Sequence, residues 1–264
     1  MLIRRSHMVK PLVQMHLRTF LIIPACVSLA LAQESPPATP ESPPTHTPPA
    51  EPVKPSVTKL DEFRYQIGDV ILDRKSREIR FPTKVNMSEG LVEYLIVLQQ
   101  GKAHESLLIS SITPTHLNLA LVLLRYAPSC ELFSLINETG HPTGVYQDVS
   151  APVKAAARIA IDVEWNDNGT TRRVPVNEWL RSNSNDAVMA AGPWLYTGSN
   201  ISDKKFIPDL SGDITSIMID SNAMINYPGT DNQDNVTWFA FQKKVPPAGT
   251  PVTVIITPYT SSKP

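Results

Sequence analysis

Cysteine is almost absent: only Cys26 and Cys130 occur in 264 residues. Cys26 lies inside an N-terminal apolar run, so the body of the protein keeps Cys130 alone. No intramolecular disulfide and no cysteine-based metal set can form there. Cys130 is expected to be a free, at least partly buried thiol. Long hydrophobic runs are lacking too. Phe20–Ala32 (FLIIPACVSLALA) is 13 residues long and contains Pro24, whereas a membrane-spanning helix needs about 20. Charge of one sign is also missing: 24 Lys+Arg stand against 25 Asp+Glu. Nothing in that balance provides a footprint for nucleic acid or an anionic lipid surface. Two catalytic signatures are absent as well. There is no Gly-x-Ser-x-Gly elbow, and His104-Glu105-Ser106-Leu107-Leu108 has Leu108 where a His-Glu-x-x-His zinc motif needs its second histidine.

What is present first is an export signal. Arg4, Arg5, Lys10 and Arg18 precede the apolar run, no acidic residue occurs before Gln33, and Ala30-Leu31-Ala32 offers a small-x-small cleavage site. Residues 1–32 are therefore read as a signal peptide, with Met15 as an alternative start. The competing reading takes Ile23-Pro24-Ala25-Cys26 as a lipobox with lipid anchorage at Cys26, but the apolar run continues past that cysteine. Cleavage after Ala32 leaves 24 − 4 = 20 basic against 25 acidic residues, a net charge of −5. Residues 33–56 hold nine of the 25 prolines and almost no apolar side chains, which marks an extended, disordered proline-rich linker. The globular part is placed at 57–264, and the protein is expected outside the cytoplasm, periplasmic or extracellular.

Strand patterns dominate that part. Gly68–Asp73 and Arg77–Val85 flank a polar turn, and Leu91–Leu98 is almost continuously apolar, as a strand buried on both faces would be. Ala157–Trp165 alternates and leads through Asn168-Gly169, the strongest hairpin signal in the chain. Further strands are read at Pro193–Ser199, Ile214–Ile219, Val236–Phe241 and Pro251–Tyr259. One helix is clear: Thr113 as N-cap, Pro114 at the first position, an apolar body, and Pro128 beyond its end. Asn118 and Arg125 mark its wet side. The expected fold is α+β, mostly β: antiparallel sheets in a sandwich-like arrangement, one well-packed helix over about 114–126, and a short second helix around 176–180.

The stretch His104–Leu124 (HESLLISSITPTHLNLALVLL) holds the candidate chemistry: His104, Glu105, Ser106 and His116. Strand alternation places His104 and Ser106 on one face and Glu105 on the other, which breaks a His-Glu-Ser triad. His116 stands in the first helical turn. Glu164–Thr171 starts like a calcium loop, but Pro175 occupies the position of the closing glutamate. Asp231–Asn235 is a second acidic loop, read as a solvated turn with calcium as a weaker alternative. No metal site and no cofactor are assigned.

Several blocks resemble one family. Glu93–Leu124 (EYLIVLQQGKAHESLLISSITPTHLNLALVLL), Val163–Leu180, Gly192–Ser199 and Val245–Pro258 together are similar to the signature of the YdjY-type domain family, over about residues 60–260. The resemblance implies an exported bacterial protein with no assigned reaction. Some members carry an iron–sulphur cysteine set beside the domain, which this chain lacks. The expected function is a binding or structural module with an unknown protein or small-molecule partner and no nucleic acid. The alternative is a hydrolase or metal-dependent enzyme with its site around His104, Ser106 and His116.

Overall fold

The computed structural model describes residues 55–260. The expected signal peptide, with Cys26, and nearly all of the linker lie outside the described residues. Strands β1 (Val57–Lys59), β2 (Arg64–Ile67), β3 (Val70–Asp73) and β4 (Glu78–Val85) form an antiparallel meander. Then come β5 (Tyr94–Leu98), β6 (Ser106–Ser110) and helix α1 (Pro114–Leu123). A small hairpin of β7 (Ser134–Ile136) and β8 (Pro142–Tyr146) precedes α2 (Ala151–Ala157). The long hairpin of β9 (Arg158–Asp167) and β10 (Thr170–Pro175) turns at Asn168 and Gly169, both at positive φ, as a two-residue hairpin requires. The remaining elements are short: β11 (Leu180–Ser182), β12 (Trp194–Tyr196), β13 (Ile201–Ser202), β14 (Lys205–Phe206), α3 (Ile207–Ser211), β15 (Asp213–Ser216), β16 (Ile225–Asn226) and β17 (Trp238–Ala240). The last strand, β18 (Pro251–Pro258), is long.

The expected sandwich is overturned. Hydrogen-bonded neighbours run β4-β18-β9-β12-β16-β15-β5-β6, and β6 returns to β4 through Lys84↔Ile109 and Val85↔Leu108. Eight strands therefore close into a barrel. β4 makes this possible by serving two partners on one edge: its first half pairs β3, and its second half pairs β6. Two neighbouring pairs, β5–β6 and β15–β16, are parallel, so the sheets are not purely antiparallel either. Ile79 and Phe81 of β4, Val254 and Ile256 of β18, and Ile161 and Val163 of β9 are all buried and share one face by register. A barrel of this size is filled by such side chains.

The helices are few and short. The segment expected as a second helix is a 3-10 turn, Val176–Trp179. α1 packs against β2, β3 and α3. Thr113 has extended backbone but makes no side-chain cap; instead Asp209 of α3 accepts the Thr115 amide at 2.9 Å and also takes its hydroxyl. Asn118, expected on the wet side, faces inward and accepts the Tyr196 hydroxyl at 2.6 Å. Burial pushes that phenol's pKa up to about 12. The exposed side of α1 carries Val122 and Leu123. The helix ends in a Schellman arrangement: Arg125 donates to Val122 O and Tyr126 to Leu121 O, with Arg125 at φ +61. Cys130, expected to be at least partly buried, is exposed.

Candidate functional site

Parallel strands are usually joined by a crossover of a dozen or more residues. Between β5 and β6 residues 99–105 make the return alone. The loop lies across the outside of the barrel, where Ala103 packs on a small cluster of Tyr94, Val97 and Ile109. It enters over a close backbone approach. A Cβ on Gly101 would meet Ser211 O at 3.1 Å, and one on Gly212, whose φ is +82, would meet Gly101 Cα at 3.0 Å. Residues 103–105 form a 3-10 turn, so β6 begins only at Ser106.

That turn changes the geometry expected for His104 and Glu105. Outside a strand their side chains need not diverge, and His104 Nε2 lies 3.6 Å from Glu105 Oε2. His104 is otherwise exposed. Ser106 is fully buried, and its hydroxyl donates to Lys102 O at 2.6 Å. His116 stands beyond the other end of β6, so the strand alone separates the two histidines by roughly 13 Å at about 3.3 Å per residue. Its ring lies on the β2–β3 turn, where a Cβ on Gly68 would fall 2.4 Å from Nδ1. His104, Glu105 and Ser106 are thus one corner, and His116 belongs to another.

The corner's centre is Lys102. Its ammonium contacts the Tyr94 hydroxyl, lies 4.3 Å from the centroid of that ring, and reaches Asp220 Oδ2 at 3.3 Å and Asp213 Oδ2 at 3.7 Å. Tyr94 in turn donates to Asp220 Oδ2 at 2.7 Å, while Asp220 Oδ1 accepts the Asn222 amide. The Asn86 amide donates to both Ala103 O and Ser106 O, at 2.6 and 2.7 Å. Asp213 is buried, and its Oδ1 has no hydrogen-bond partner among the described residues. Burial raises its pKa above the ordinary carboxylate range, opposed by Lys102. Desolvation also raises Glu93, with neighbouring Glu105 adding to it, and lifts the Tyr94 phenol well above its usual value.

Elsewhere the loops read as possible calcium sites have other partners. Glu164 pairs with Arg80, and Asn166 Oδ1 accepts the Gly169 amide to close the hairpin. In the second acidic loop Asp234 Oδ1 accepts the Val236 amide at 3.0 Å.

Tyr94, Asp213 and Asp220 were not singled out from the sequence. They come from β5, β15 and the segment after it, and no spacing links them. One signal was available: Asp213 opens an otherwise uncharged strand and so stands where a buried charge needs a partner. Lys102 was visible only as part of the family-like block.

A small closed β-barrel with an exceptionally short, internally clamped parallel crossover is the class that fold and corner define. The chain belongs to the YdjY domain family, whose model matches residues 70–257. No curated protein and no solved structure matches it.

Proposed function

We propose that this is an exported binding module, and that the family-like block around Lys102 serves as a structural clamp. The single observation carrying the clamp is that Lys102 and Ser106 of this block engage Tyr94 and residues from other parts of the chain. Lys102 joins Tyr94, Asp213 and Asp220, Ser106 holds the Lys102 carbonyl, and Asn86 holds the turn. Beside the return's own backbone bonds, from Gly101 to Leu98 O, Ala103 to Gly101 O and Glu105 to Lys102 O, these contacts tie it to β5 and to the segment around β15. Removing one partner of such a set leaves a buried carboxylate uncompensated. Replacing Lys102 by Met is therefore expected to lower the melting temperature. An unchanged melting temperature would contradict the clamp and move Lys102, Tyr94 and Asp213 into the group of catalytic candidates.

Export is proposed on the basic start, apolar run and small-x-small site of residues 1–32. Sequencing the N-terminus of protein recovered outside the cytoplasm is expected to give Gln33. A lipidated Cys26 as first residue would replace this with membrane anchorage.

A further inference from the structure

We infer that the cleft between the β1–β4 meander and the end of α1 binds an amphiphilic anion, a phosphate or carboxylate headgroup carrying an apolar chain. The site is new within the binding-module reading and rests on it only in taking the module's ligand to be small. The cleft measures about 730 Å³, within the range of small-ligand sites. Leu72 and Leu124, both buried, form an apolar floor, and half-exposed Val57 and Leu123 stand at its rim. Arg74, Arg77 and Arg125 are the charged residues that line it.

Those three arginines differ from the rest. Among the described residues Arg64, Arg80, Arg158, Arg172, Arg173 and Arg181 each pair with a carboxylate. Arg74, Arg77 and Arg125 have no such pair, and all three face one cleft. Arg77 is fixed in place: it donates to Leu124 O and Arg125 O and stacks on Tyr126 at 4.5 Å. Arg74 lies 5.9 Å from the Tyr65 ring centroid. The backbone provides an independent sign. Arg77 and Arg125 adopt φ +59 and +61, and Arg125 occupies the helix-ending position where glycine is the favoured residue. A long side chain at that position carries a backbone cost, and here it places the guanidinium at the cleft. Unpaired guanidiniums above an apolar floor fit a bidentate oxyanion with an apolar chain beneath it.

The test uses the mature chain and decyl phosphate kept monomeric, followed by isothermal titration calorimetry, with inorganic phosphate and decanol as comparison ligands. Decyl phosphate is expected to bind one to one and more tightly than either comparison ligand. The double variant Arg74→Gln/Arg125→Gly is expected to weaken it about tenfold or more, through loss of two charge-assisted contacts. Arg125→Gly relieves the positive φ, so the double variant should melt no lower than the wild type, which separates lost binding from lost folding. Equal binding by the variant, equal binding of decanol, or binding seen only with anionic vesicles would overturn the inference. Inorganic phosphate binding as tightly as decyl phosphate would overturn its amphiphile part. Failure here leaves the clamp untouched, because Lys102 plays no part in the cleft.

Discussion

Two of the places where this protein gathers charge treat it in opposite ways. At the β5–β6 return, an ammonium, two carboxylates and a phenol lie within reach of one another, and the nearby hydroxyl and amide groups bind backbone carbonyls. At the end of α1, three guanidiniums have no carboxylate partner among the described residues, and two are held at unfavourable φ. Charges that pair restrain the chain; those without a carboxylate partner are what the cleft offers to the proposed ligand. The first region is also the one that looks catalytic in sequence.

The largest effect is expected at Lys102. Lys102→Met should cost roughly 2–4 kcal/mol, toward the lower end because nearly half of that side chain meets solvent. For a domain of this size that is a fall of about 5–10 °C in melting temperature, read by calorimetry. Next is Gly68→Ala, which sharpens the contrast by disturbing the support of α1 rather than any charge. Gly68 has φ +55, and its new Cβ would meet His116, so a loss of about 2–3 kcal/mol is expected in denaturant titration. Asp213→Asn probes the clamp through pH. The folded-state pKa of Asp213 is raised by burial, so the folded protein holds this proton more tightly than the unfolded chain. Its contribution to stability is full below the ordinary carboxylate pKa and falls as pH rises through the raised value. Measured against pH, the stability difference between wild type and Asp213→Asn should therefore shift against the wild type across that window. The smallest effect is expected at Arg172→Gln. Its exposed pair with Asp167 should be worth about 0.5 kcal/mol or less, and the substitution should leave decyl phosphate binding unchanged.

Much of the strand inventory was legible because burial imposes a period of two: Ile159, Ile161 and Val163 announce β9, and Asn168-Gly169 announces its turn. Closure of the barrel was not legible. It depends on two residues at the end of β4 meeting β6 and on very short rungs at β12, β15 and β16, too brief to leave a periodic pattern. Alternation also misled at His104 and Glu105, since a strand pattern was extended into a turn. The arginine cleft was hidden by averaging. A near-neutral total cannot reveal that unpaired positive charges gather at one place. The local clue was Arg125, set where a helix ends and a glycine would ordinarily stand.

The most direct test of the division between clamp and cleft is one thermal-shift experiment on wild type, Lys102→Met and Arg74→Gln/Arg125→Gly, each with and without monomeric decyl phosphate. Lys102→Met is expected to melt lower yet keep the ligand-induced rise, while the arginine variant is expected to melt no lower than the wild type and to lose that rise. A lysine variant that melts normally, or an arginine variant that keeps the full rise, would contradict this division.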